Sequence, residues 1–247
     1  MVGLYLQKPI NLSVFRFKYF DVKQEKNPLK VGTDSMLLGA FIEASGHKRA
    51  LDLGSGTGVL SLMIAQKNPT ILIDAIEIYE DGSQECRENF TSSPWSERLT
   101  VFQGDYFNFP FQGKYDLIFS NPPYFLNDLQ SQRDEMSRAK HSDNETVNCL
   151  FKLVNSILSI EGVFWIIIPY SNYNFFKEIA VQNELYPCEL IHIHAKSSKL
   201  NKRIISCFKR NQSEIVNERD LIIRSENNDY SSEYQKITKD FHRNLIK

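Results

Sequence analysis

Short β-branched runs alternate with longer stretches of helical spacing along this chain. The run RALDL at 49–53 ends in glycines and is followed by VLSLMIAQ at 59–66, which has helical composition. The β-branched run ILIDAIEI at 71–78 comes next, then a polar segment of helical character from Asp81 to Phe90. Further apolar strands are expected at 99–103, 115–120, 162–168, 190–195 and 203–209. Between the fourth and fifth strands, the stretch 146–160 places Val147, Leu150, Phe151, Val154, Ile157 and Leu158 at helix-like intervals. Strands alternating with helices predict an α/β fold, a seven-stranded, mostly parallel sheet with helices on both faces. The last two strands, joined by a short polar connection, predict an antiparallel hairpin at one edge.

Composition narrows the class without naming a chemistry. The 247 residues are 42% hydrophobic and 24% charged, ordinary globular usage that excludes a disordered, collagen-like or disulfide-scaffold chain. With 29 Lys plus Arg against 30 Asp plus Glu, the formal net charge is −1, which excludes a wholesale polycation and leaves local clustering open. The N-terminus does not read as a secretory signal. The most apolar stretch, GVFWIIIP at 162–169, is too short to cross a bilayer, so no membrane association is expected. Cys86, Cys149, Cys188 and Cys207 lie far apart without a CxxC pair, so neither a zinc cluster nor a disulfide framework is expected. Reduced packing cysteines, a cytoplasmic setting and no metal site are the expectation. There is no repeat and no low-complexity linker. One main domain from 32 to 247 is expected, with residues 1–31 as an N-terminal extension packed on it.

The segment Asp52-Leu53-Gly54-Ser55-Gly56-Thr57-Gly58 sits where a strand gives way to a helix, a place where bare backbone can cradle a ligand. It is neither a GxGxxG dinucleotide fingerprint, since Val59 stands at the third glycine position, nor a Walker loop. A tight connection without ligand is the plain alternative. Glu77, at the end of the next strand, can accept both hydroxyls of a ribose, and Asp105, after the third strand, can accept from an adenine amine. Each acid alone reads as a turn residue or cap; together beside the glycine turn they describe an adenosine pocket. This constellation resembles the class I S-adenosylmethionine-dependent methyltransferases, which have a Rossmann-like seven-stranded sheet with an antiparallel final strand. The resemblance implies S-adenosylmethionine as cofactor, with the methionine part at Asp52 to Gly58, the ribose at Glu77 and the adenine beside Asp105.

Asn121-Pro122-Pro123-Tyr124 directly follows the fourth strand. Two prolines give a stiff extended turn that holds the Asn121 amide and the neighbouring carbonyls outward. Asn121 Oδ1 and the Pro122 carbonyl can take the two hydrogens of a planar amino group while the Tyr124 ring stacks on its base. These residues match the [N/D]PP[Y/F/W] motif of that family, and the resemblance implies transfer to a planar-group nitrogen: adenine N6, cytosine N4, guanine N2 or a glutamine amide.

Several cues bear on the substrate. FRFKYF at 15–20 interleaves aromatics with Arg16 and Lys18, a pattern that suits unstacked bases and phosphates and equally suits an amphipathic strand. Lys196, Lys199, Lys202, Arg203, Lys209 and Arg210 give six cations and no acid between 196 and 210, either a phosphate track or a solvated edge. The run FRFKYFDVKQEKNPLKVGTDSMLLGAF, with DLGSGTG and SNPPY, resembles the bacterial tRNA1(Val) (adenine-37-N6)-methyltransferases. That resemblance implies an anticodon-loop tRNA partner and places Thr33 and Asp34 over the site; an Asp helix cap is the alternative. The polar segment 127–144 is expected to be a lid, a recognition loop or a plain polar loop. Rival functions are protein-glutamine methylation of release factors, guanine-N2 methylation of rRNA, and a cofactor-binding regulatory module without turnover. No stable protein partner is indicated.

Overall fold

The computed structural model describes residues 13–27, 30–122, 136–199, 202–212 and 214–243, with backbone alone for 136–143. The N-terminal hairpin pairs β1 (Val14–Arg16) with β2 (Asp21–Lys23). The chain continues through α1 (Thr33–Phe41), β3 (Arg49–Leu53), α2 (Val59–Lys67), β4 (Leu72–Glu77), α3 (Glu80–Thr91), β5 (Leu99–Gln103) and β6 (Tyr115–Ser120). It ends with α4 (Met136–Ile157), β7 (Leu158–Pro169), α5 (Tyr173–Gln182), β8 (Tyr186–His194), β9 (Arg203–Lys209), β10 (Asn217–Ile222) and α6 (Ser232–Thr238). The main sheet runs β10-β8-β9-β7-β6-β3-β4-β5.

Period-two alternation feeds two separate cores, one on each face of the sheet. Ala50, Leu117, Phe119, Trp165 and Ile167 turn to the side covered by α1, α2, α3 and α6. Leu51, Ile118, Phe164, Ile166 and Phe208 turn to the side covered by α4 and α5. This is the mostly parallel, doubly covered α/β sheet that the sequence predicts, with three differences of detail.

First, the sheet has eight strands. NERDLI of β10 buries only Leu221 deeply, so it lacks the apolar signature of a strand and survives as an edge partner of β8. Second, the antiparallel strand β9 lies inside the sheet, between β7 and β8, and not at its edge. Residues 204–208 are all buried, a run that needs cover on both faces. Third, residues 136–144 of the expected polar loop belong to α4, whose polar first turns give no apolar periodicity; 123–135 lie outside the described residues.

The N-terminal hairpin packs onto the first face. Phe17, Phe20 and Val22 are buried, with Phe17 stacked on Phe20 at 4.3 Å and Phe20 edge-on to Trp95 at 5.5 Å. These rings are therefore core, and only Tyr19 of the aromatic run is largely exposed. Lys18 N donates to Phe241 O at 2.9 Å, tying the hairpin to the C-terminal segment. Among the cysteines, Cys86 and Cys207 are buried, Cys188 is half-buried and Cys149 is exposed, so the last is not a packing residue. No helix among the described residues is long and apolar enough to cross a membrane.

Candidate active site

The glycine turn leaves β3 and is held at the C-terminal edge of the sheet by its own backbone. Gly54 N and Ser55 N both donate to Ile76 O at 3.0 Å, and Gly56 N donates to Glu77 Oε2 at 2.8 Å. Gly54, Gly56 and Gly58 all have positive φ, the conformation that favours glycine. Their surroundings differ. A Cβ on Gly54 would meet nothing within 4 Å, whereas one on Gly58 would lie 2.5 Å from Phe90 and 2.7 Å from Cys86 Sγ. Gly54 thus opens onto space for a ligand, and Gly58 lets the turn dock on α3.

A cavity of about 460 Å³ lies between this turn and the chain around α1. Its wall is made by residues 30–35, 54–57, 59 and 60, with Asn121, Pro122 and Arg203. The N-terminus of α2 has no side-chain cap, so Val59 and Leu60 bring first-turn N–H groups and the positive end of the helix dipole to the cavity. That arrangement suits an anionic group such as a carboxylate.

The acids occupy distinct positions. Glu77 is buried behind the turn, and its Oε1 accepts from Tyr79 N at 3.0 Å. Asp105 follows β5 and bonds its own turn, accepting from Phe107 N at 2.9 Å and Asn108 Nδ2 at 2.7 Å. Asp52 is fully buried and accepts from Ser61 Oγ at 2.7 Å, while its Oδ1 has no partner among the described residues. Of the six residues expected at a cofactor, Gly54 and Gly56 line the cavity; Asp52, Gly58, Glu77 and Asp105 stand behind or beside it.

Burial pushes the Asp52 carboxyl up to about 7 from an ordinary 3.8, with the Glu77 charge adding and the Ser61 hydroxyl opposing. A carboxyl raised in the folded state binds its proton more tightly there than in the unfolded chain. Its stabilising effect is complete below its ordinary value and is lost as the pH rises through about 7. Asp52→Asn, which removes the titration, is expected to flatten the fall in melting temperature between pH 4 and 7. An identical fall in variant and parent would refute this.

Asn121 leaves the end of β6 beside the glycine turn. Ser120 Oγ donates to Leu53 O at 2.7 Å, which clamps the end of β6 to the end of β3. Asn121 Nδ2 donates to Ser35 Oγ of α1 at 2.9 Å. Pro123 and Tyr124 lie outside the described residues.

Comparison with known proteins agrees with this geometry. The family model of the methyltransferase small domain matches residues 28–174. A tRNA1(Val) (adenine(37)-N6)-methyltransferase from Bacteroides thetaiotaomicron is 36% identical over 232 residues, covering 94% of this chain and 98% of that protein. Its counterpart from Bacteroides fragilis (strain ATCC 25285) is 37% identical over 231 residues, covering 92% and 97%. The chain belongs to the tRNA1(Val) (adenine(37)-N6)-methyltransferase family.

Solved structures show the same fold at low identity. A predicted O-methyltransferase from Agrobacterium tumefaciens superposes with a TM-score of 0.62 at 14% identity, covering 84% of this chain and 96% of that one. The CcbJ methyltransferase from Streptomyces caelestis gives 0.55 at 12% identity, covering 72% and 96%.

In this family member the cations suggested for RNA fall into different settings. Lys199 and Lys202 are exposed, and Lys196 Nζ donates to Glu226 O at 3.1 Å. Arg16 and Lys18 are exposed on the hairpin, Arg16 4.0 Å from Asp21 and Lys18 over the Tyr19 ring. Arg203 Nε pairs with Asp34 Oδ2 at 2.9 Å, a half-buried ion pair at the cavity wall. Arg210 donates to the Asn155 and Leu158 carbonyls, securing the end of α4. Asp34 is not a helix cap; Gly32 holds that position without a side-chain bond.

Sequence reasoning missed the supports. Glu85, 2% exposed, accepts the backbone N–H groups of Glu25, Lys26 and Asn27. Asn89 bonds both Lys23 N and Lys23 O and donates to Thr57 O at 2.9 Å, joining the arm to the glycine turn through α3. No local signal marks these polar residues, because their partners lie 32 to 66 residues away along the chain.

Proposed function

We propose that this protein transfers a methyl group from S-adenosylmethionine to N6 of adenine 37 in the anticodon loop of tRNA1(Val), in the cytoplasm. The observation that carries the reading is the single cavity whose wall includes both the glycine turn and Asn121–Pro122. The family relationship supplies the substrate class.

The residues present fit the cofactor. Open space above Gly54 and the uncapped start of α2 suit the amino-acid end, with its carboxylate. Glu77 would serve the ribose from the end of β4, and Asp105 the adenine from the end of β5. Asp52 would act from beneath by holding the turn. When bound, S-adenosylmethionine supplies a methyl group on a positively charged sulfur, whose charge is lost as transfer proceeds.

The chain's own contribution is orientation of the amine. Among the described residues no donor occupies Asn121 Oδ1, which can accept one N6 hydrogen while the Pro122 carbonyl accepts the other. That polarises nitrogen toward attack without a strong base; the N–C bond forms as the C–S bond breaks, the methylated nitrogen then gives its surplus proton to water, and most of the gain comes from alignment. Tyr124 would stack on the base. An anticodon-loop base is already partly unstacked, so placing it costs less than extracting one from a duplex.

The deciding experiment incubates the protein with labelled S-adenosylmethionine and total RNA, then maps modified nucleosides by mass spectrometry. Label in N6-methyladenosine at position 37 of tRNA1(Val) is expected. Label confined to protein would replace this reading with glutamine methylation.

A further inference from the structure

We infer that Ser35 is a positioning residue for the reaction: its hydroxyl fixes the plane of the Asn121 carboxamide so that Oδ1 is held ready for the acceptor amine. The inference rests on the reading of Asn121 as amine acceptor given above.

A carboxamide has one accepting and one donating end of nearly the same shape, and the torsion that carries it is broad and soft. An exocyclic amine offers hydrogens, so only the oxygen end is productive against it. The two prolines that follow stiffen the main chain and leave the terminal torsion of Asn121 unrestrained. A bond to the side chain must supply that restraint, and Ser35 Oγ supplies it by accepting from Nδ2 at 2.9 Å.

Both ends of this bond are themselves anchored. Ser35 sits in the first turn of α1, and its neighbour Asp34 is tied to Arg203 of β9 at 2.9 Å. On the other side, Ser120 immediately before Asn121 is tied to Leu53 O at 2.7 Å. Ser35, Asn121 and Arg203 all face the same cavity. A hydroxyl can serve either end of an amide, so Ser35 holds the plane and the acceptor's own hydrogens select the oxygen end. The plane is then set before the base arrives, and only the choice of end is left to the acceptor, which is how a restraint of this kind raises the rate.

The test uses the full chain as Ser35→Ala, as Ser35→Thr, and as Ser35→Ala combined with Asn121→Ala. Ser35→Ala is expected to lower single-turnover methylation of tRNA1(Val) about tenfold, with calorimetric cofactor affinity unchanged. Ser35→Thr keeps the hydroxyl and is expected to restore the rate. In the Asn121→Ala background, Ser35→Ala is expected to add nothing, because the group it positions is gone. The Asn121 side-chain amide resonances, followed by nitrogen-15 NMR without substrate, should move in Ser35→Ala and stay in Ser35→Thr. An unchanged rate in Ser35→Ala, or a further tenfold loss in the Asn121→Ala background, would overturn the inference. Failure of the parent protein to methylate adenine overturns the functional reading instead. The amide resonances still judge the positioning then, since unmoved peaks in Ser35→Ala refute it.

Discussion

Asn121→Ala is expected to reduce methyl transfer by about two to three orders of magnitude, the scale seen when one preorganised polar group is deleted from an active site. In the proposed reading, the side chain removed is the one whose oxygen accepts from the amine, and the Pro122 carbonyl alone cannot take both hydrogens. Cofactor affinity is expected to change little, because the glycine turn is built from bonds to Ile76 and Glu77 that Asn121 does not touch. A separation of this kind is read by pairing single-turnover rates with calorimetric titration of S-adenosylmethionine. Comparable losses in both measurements would show that Asn121 supports the cofactor and not the acceptor.

Glu77→Ala is expected to have the opposite profile. Its two oxygens accept from Gly56 N and Tyr79 N, so the substitution strips partners from one backbone donor in the glycine turn and one at the start of α3. Both bonds are part-buried, so each loss costs less than the about 1–3 kcal/mol of a fully buried donor, and the turn is freed to leave the shape in which Gly54 opens toward the ligand. The proposed ribose contact is lost as well. Cofactor affinity should fall at least about tenfold, equivalent to about 1.4 kcal/mol, and the melting temperature should fall with it. Titration and thermal unfolding measure the two effects independently. Unchanged affinity in a destabilised protein would confine Glu77 to holding the turn.

What the sequence disclosed was whatever depends on neighbours in the chain. RIISCFK at 203–209 occupies the full extent of β9, because its central run of small and apolar residues states its own burial, and RALDL at 49–53 that of β3, because the glycines after it mark its end. The glycine turn was legible because positive φ at alternating positions requires glycine. What each glycine serves was not legible, since only the closeness of Phe90 and Cys86 separates Gly58 from Gly54. Asn121 announced itself through the prolines after it; Ser35, 86 positions earlier, carries no mark of the bond it makes. Arg203 counted as a free cation along the chain and proves to be half of an ion pair with Asp34, 169 positions away. The rings of FRFKYF illustrate the same limit. Alternation with charges is shared by base-stacking strands and buried hairpins, and contact with Trp95 decides for the hairpin here.

The Glu85 carboxylate also bears on how this protein can be handled. It is satisfied by three amides from residues 25–27, and the arm it grips runs on to Lys30 and Val31 at the cavity wall. An expression fragment beginning at Gly32 would keep every strand of the main sheet and both sequence motifs. It would also strip the Glu85 carboxylate of its three amide partners. A fragment of this methyltransferase that keeps the Glu85 grip therefore starts upstream of its recognisable motifs, at the hairpin.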